Sequence, residues 1–327
     1  MNQLNHKLPT TLLALAGILL IGLGLFHLGV WLVVGGSLEG PVSWRKPILF
    51  GFSTGMTVLS LAWIYPKLRP RPWDTEICGL FSVAMLLEVV LITMQQWRGE
   101  ASHFNHSTPF DTGVEQWMTY VITFATAVIL DFSWRSFRRL DAPPDTQLAI
   151  RIGLLLLTVS CLIGFAILGA GKYQARLGND PSIWGKAGVT KFPHGIAIHA
   201  LQFLPLLCWL MQTVGISKPA RVRLVAFSGA SMSVLLVFSL VQTLQGRSRL
   251  DFGLIGAILL ILGAGLMLPL AAHLIGKCLT IFRRVSLPKV PSMLILLAPT
   301  MLACCCGSGL VAAQNWPQWG GPQTSIF

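Results

Sequence analysis

The residues with chemistry to offer are few in this chain, and the histidines come first. Four of the seven, His103, His106, His194 and His199, fall in two stretches: Ser102-His103-Phe104-Asn105-His106, and Pro193-His194-Gly195 running on to His199. Neutral imidazole is the commonest nitrogen ligand in proteins, so histidines from separate segments suit axial ligation of haem b or capture of a divalent metal. The same side chains serve as helix caps and loop ties, or as general acids and bases, and their spacing does not separate these roles. His194 and His199 are five apart, ~140° around a helix, so both face one ligand only if His194 precedes the helix. No CxxC, CxxCH or HExxH string occurs, which removes the templates for structural zinc, c-type haem and zinc proteases.

A second set consists of polar groups inside apolar stretches, where each costs several kcal/mol unless it is paired. Glu88 falls ~18 Å along its apolar run, just past the midplane, and suits a proton relay, a ligand contact or a neutral buried acid. Ser53 lies a turn or two inside its run, Gln202 shares a helix face with His199, and Gln242 stands near the end of another run. The neighbouring loops add Arg45 and Lys46 in Gly40-Pro41-Val42-Ser43-Trp44-Arg45-Lys46-Pro47, and Arg98, Asn105 and Asp111 in the stretch that holds His103. Together these outline a pocket for a small ligand. Asp131 and His273 read instead as interfacial residues, close enough to the ends of their runs to reach water.

What must position these groups is legible from composition. The chain has 327 residues, 54% apolar and 11% charged, whereas a soluble domain keeps roughly a quarter of its residues charged. An ordinary soluble enzyme is therefore excluded. Apolar runs occupy about 11–35, 48–66, 76–96, 116–134, 149–170, 196–215, 223–245, 252–276 and 291–313. Each is long enough to cross ~30 Å of hydrocarbon as a helix. The expected fold is all-α: a polytopic transmembrane helical bundle of eight core spans within 1–280, plus a ninth apolar segment at 281–313 and a short extracytoplasmic tail at 314–327.

Basic residues divide 15 against 9 between the two sides, with the larger number at the N-terminus and the loops after even-numbered spans. By the positive-inside rule the N-terminus is cytoplasmic, and loops 97–115 and 171–195 are extracytoplasmic. The net charge of +12 is then a property of loops beside the lipid bilayer and does not indicate nucleic acid. Of seven cysteines, Cys304, Cys305 and Cys306 form a run within the ninth segment, where they read as small apolar filler or, less directly, a lipidation site. The glycines of the first span, Gly17 to Gly36, lack the phosphate loop of a nucleotide motif and suit close helix packing.

The ninth segment follows Arg283, Arg284 and Lys289 and closes on Val311-Ala312-Ala313, small residues at the spacing a signal peptidase reads. It reads as a signal-peptide-like segment or as a plain anchor. Beyond it, Asn315-Trp316-Pro317-Gln318-Trp319-Gly320-Gly321-Pro322 resembles the opening of secreted β-propeller proteins similar to pyrroloquinoline-quinone dehydrogenases. That likeness implies a fused or truncated propeller partner.

Three further strings carry a second resemblance: Ser43-Trp44-Arg45-Lys46-Pro47; Ser102-His103-Phe104-Asn105 with Thr108-Pro109-Phe110-Asp111; and Pro193-His194-Gly195 with His199-Ala200-Leu201-Gln202 and Leu204-Pro205. In this order the chain resembles a family of uncharacterised bacterial multipass proteins of the cell membrane with about eight spans. The resemblance implies which residues matter and supplies no activity, so whether the protein is an enzyme stays open. Three functions fit the residues. The first is an outward-facing His/Glu/Gln pocket for haem, a metal or a quinone, acting in redox or sensing. The second is a proton-coupled transporter of a small anionic solute, with Glu88 as proton carrier and Arg45 and Lys46 as counter-charge. The third is a structural anchor or assembly partner of a secreted β-propeller protein.

Overall fold

The structure, a computed structural model, describes residues 4–284, with side chains from 7 to 279. The ninth apolar segment and the tail lie outside the described residues. Nine α-helices are described: α1 (Leu4–Val34), α2 (Arg45–Ile64), α3 (Asp74–Arg98), α4 (Pro109–Arg138), α5 (Pro144–Arg176), α6 (Lys191–Ile198), α7 (Ala200–Thr213), α8 (Lys218–Leu244) and α9 (Leu254–Arg284). A 3-10 turn, Tyr65–Lys67, follows α2, and a two-residue hairpin, β1 (Ile183–Trp184) with β2 (Gly188–Val189), precedes α6. Taking α6 and α7 as one broken span, eight helices are long and apolar enough to cross a membrane. The chain is an all-α integral membrane protein. Residues 1–271 form one compact unit, and of the second, 272–327, only the end of α9 is described.

The helices outrun the apolar runs because proline opens several of them. Pro109, Pro144 and Pro219 sit in the first turns of α4, α5 and α8, and Pro193 in that of α6, where the missing N–H has no helical partner to lose. Thr108 caps α4 by accepting from Asp111 N at 3.1 Å. Spans meet through Leu13, Leu20, Val58, Leu61, Phe81, Val89, Phe132 and Leu154, while Leu32, Val33, Leu254 and Ile261 face outward. Apolar faces on both sides of a helix are the pattern expected where the solvent is lipid. Hydroxyls inside the spans, such as Ser60, Ser82 and Thr126, donate to the carbonyl four residues back and so need no water.

Glycine sets the closest helix contact, as the first span's composition predicts. A Cβ on Gly51 would stand 2.7 Å from Gly24 Cα, and one on Gly55 would stand 2.9 Å from Gly17 O. Side chains at these positions would force α1 and α2 apart, so the glycines permit backbone-to-backbone packing where apolar surface alone gives little drive in lipid.

The two ends of the bundle differ in their connections. At the short-loop end Leu68 bridges Leu140, and two buried ion pairs close the helix ends. Arg135 donates to both oxygens of Asp74, at 2.8 and 2.7 Å, and Asp74 also accepts from Tyr65 Oη and Arg71 N. Asp131, expected to be interfacial, pairs with Arg71 at 2.7 Å and with Arg135 at 3.3 Å. Arg221 Nε donates to Asp145 at 2.5 Å, and Gln212 reaches the same carboxylate. The long-loop end carries residues 35–44, 99–108, 177–190 and 245–253.

Candidate functional site

Four cations converge at the long-loop end. Arg45 and Lys46 open α2, Lys191 opens α6, and Arg249 lies in the turn joining α8 to α9. Lys191 and Arg45 lie within electrostatic reach of Lys46, and Arg45 within reach of Lys191 and Arg249. Asp180 is the carboxylate that acts on Lys191. Lys46 is held by donating to Pro41 O at 2.5 Å and Ser102 Oγ at 3.3 Å. Arg249 lies over the Phe192 ring, 5.6 Å from its centroid. Among the described residues, Arg45, Lys191 and Arg249 donate to no protein acceptor through their side chains. Like charges held together raise the energy of the protein alone.

His103 joins this cluster without adding charge. Its Nδ1 lies 2.9 Å from Ser102 Oγ and its ring leans on Phe50. Burial, with Lys46 and Lys191 beside it, pushes its pKa down to about 3, so the imidazole is a neutral hydrogen-bonding group at physiological pH. Burial and Arg45 likewise lower the pKa of Arg249.

Deeper in the bundle, α2 contacts the α7 half of the broken span. The Gln202 amide meets Thr57 Oγ1 there at 3.1 Å. Twelve residues separate Thr57 from Arg45, ~18 Å of helix. Ser53 stands one turn above Thr57 on the same face, and its carbonyl accepts from Thr57 Oγ1 at 2.9 Å. His199 is the break itself: it ends α6, begins α7, accepts from Gln202 N and Phe203 N, and is exposed.

The break alters the reading of the two histidines. His194 lies inside α6, not on a preceding loop, yet the helix does not continue unbroken to His199, and the two are within electrostatic reach. His194 Nδ1 is 2.9 Å from Ser160 O, while Ser160 Oγ donates to His194 O at 3.0 Å. The set is satisfied when Nδ1 carries the proton, which fastens α6 to α5.

Other expected pocket residues are drawn into separate structural contacts. Arg98 donates to Asp111 at 2.6 Å and to Gln95, and Asp111 also accepts from Gln95, Ser107 and Thr108. Asn105 donates to Ala101 O and Glu100, bracing the same loop. Gln242 donates to Ser248 O and Asp251 O, fixing the α8–α9 turn. His106 lies 3.3 Å from Glu115, whose other oxygen is 3.4 Å from Lys172. Glu88, 5% exposed, has Oε2 buried with no hydrogen-bond partner.

Among the described residues, no group of three or more His, Cys, Asp and Glu side chains is arranged to hold a metal. His103, His106, His194 and His199 instead have separate neighbours in Ser102, Glu115, Ser160 and Gln202. Gly51-Phe52-Ser53-Thr54-Gly55 has the spacing of a GxSxG nucleophile motif. It lies within α2 with both glycines against α1, not on the strand-to-helix turn that such a nucleophile needs.

Lys191 and Arg249 belong to the cation cluster but not to the pocket read from sequence. Lys191 was findable, since it stands three residues before His194. Arg249, between Ser248 and Leu250, gives no local signal. An open cleft of about 500 Å³ also lies at this end, lined by Gly185, Lys186, Gly246, Arg247 and Asp251 among others. Arg247 and Asp251 face each other there at 3.5 Å.

No family model matches the chain, no curated protein matches it, and no solved structure matches it. The likeness in its three motifs therefore identifies no family.

Proposed function

We propose that this integral membrane protein binds a small anionic solute at the long-loop end, where α2 and α6 begin. The observation that carries this reading is the convergence of Arg45, Lys46, Lys191 and Arg249, three of them without a protein acceptor for their side chains among the described residues. The positive-inside bias orients that end to the extracytoplasmic face of the membrane. Clustered cations raise the local concentration of anions and speed their arrival.

A second reading, proton-coupled carriage of the same solute, is favoured by Glu88. A carboxyl buried among the spans with an unpartnered oxygen is a group that can take and release a proton within the bilayer. Proteoliposome uptake of labelled phosphate, sulfate and succinate tests both. Uptake above that of empty vesicles, lost in the Arg45→Ala/Lys191→Ala double variant, is the expected result. Uptake unchanged in that variant contradicts the binding reading, and uptake unchanged in Glu88→Gln contradicts the coupling.

A further inference from the structure

We infer that the group recognised at this cation cluster is a phosphate, carried either by a soluble molecule or by a lipid head group. This rests on the anion-binding reading above and adds the chemical class. Among the described residues, Arg45, Lys191 and Arg249 donate to no carboxylate, and Asp180, which acts on Lys191, already turns one oxygen to Ser182. A monocarboxylate or halide brings a single negative charge and would leave most of this excess in place. A phosphate monoester carries about −1.5 to −2 at neutral pH and three strong acceptor oxygens, which comes closer to the charge and the number of donors assembled.

The donor types agree. Arg45 and Arg249 offer planar guanidinium forks that pair two donors with two phosphate oxygens, while Lys191 and Lys46 act as point charges. Lys46 is already aimed by Pro41 O and Ser102 Oγ, so it needs little ordering when the ligand arrives. His103 is neutral and engaged through Nδ1, which leaves Nε2 for a hydrogen bond rather than a charge. The helices that begin here, α2 and α6, have no side-chain cap on their first turns, so their backbone donors and positive dipole ends add to the same field. Arg45 and Lys191 are the first residues of two spans, so a lipid head group and a soluble phosphate are both sources to test.

The test is calorimetric titration of the full-length protein in neutral detergent with inorganic pyrophosphate, inorganic phosphate and sodium acetate. A second arm measures binding to phosphatidylcholine vesicles with and without phosphatidic acid. Pyrophosphate or phosphatidic acid should bind at least tenfold more tightly than acetate. Arg45→Ala/Lys191→Ala should weaken that binding more than tenfold, and the charge-keeping Arg45→Lys/Lys191→Arg pair should restore most of it, which guards against a variant that fails to fold. Preference for pyrophosphate alone supports a soluble source, and preference for phosphatidic acid alone supports a lipid. Acetate binding as tightly as pyrophosphate overturns the phosphate assignment while leaving an anion site. Failure of every anion to bind overturns both.

Discussion

Two charge clusters, one at each end of the bundle, are held in opposite ways. At the short-loop end Asp74 meets Arg135 through two hydrogen bonds and Asp145 meets Arg221, with all four side chains largely buried. At the long-loop end Arg45, Lys191 and Arg249 gather without acceptors of their own. A charge matched by a neighbour contributes to holding helices together. A charge left unmatched beside others of its sign does not, and the proposed anion would supply the partner that the protein does not.

The largest effect should come from breaking the closed end. Arg135→Ala leaves the Asp74 carboxylate, 2% exposed, without its partner, and should lower unfolding stability in detergent by ~3–5 kcal/mol. A loss under ~1 kcal/mol, the range for surface pairs, would erase the distinction between the two ends. Next comes the glycine seam that sets the bundle's frame: Gly51→Leu should cost ~1–3 kcal/mol through overpacking. Gly22→Ala, where an added Cβ meets nothing within 4 Å, should leave the melting temperature unchanged.

A smaller, pH-dependent effect belongs to His103. The unfolded imidazole takes its proton near 6.5, whereas the folded one resists protonation down to about 3, so the folded state binds fewer protons between these values. Stability should rise with pH across that window and fall as the solution is acidified through it. Thermal melts of His103→Gln should show a shallower acid limb than wild type between pH 6.5 and 4. An identical limb would mean that His103 is not held neutral by burial beside Lys46 and Lys191. The smallest effect on stability should be that of Lys191→Ala, within ~0.5 kcal/mol of wild type, because no protein acceptor loses a donor.

The sequence makes the spans legible because lipid imposes a length and an apolarity that few soluble segments reach. It misplaces their ends: α5 runs from Pro144 to Arg176, well beyond the apolar run at 149–170, since polar residues at a span's end can belong to the helix. Asp74, Arg135, Asp145 and Arg221 are hidden for that reason, each reading as a loop charge until the fold brings its partner across. The site was half legible. Arg45, Lys46 and His103 stand out in their motifs, but Glu88 and Gln242 entered the expected pocket by depth along their spans, and Asp111 by sharing a loop stretch with His103. Depth along a span does not say which helix a residue faces, and that is what separates Asp111, bound to Arg98, from Lys191.

The account's central claim is that the long-loop cations are held together for an anion. The most direct measurement is the melting temperature of the purified protein with and without inorganic pyrophosphate, compared between wild type and Arg45→Ala/Lys191→Ala. A ligand that binds only the folded state raises its stability, so the wild type should melt higher with pyrophosphate. The variant, as stable as wild type without ligand, should not respond. An equal rise in both proteins, or none in wild type, would contradict the claim.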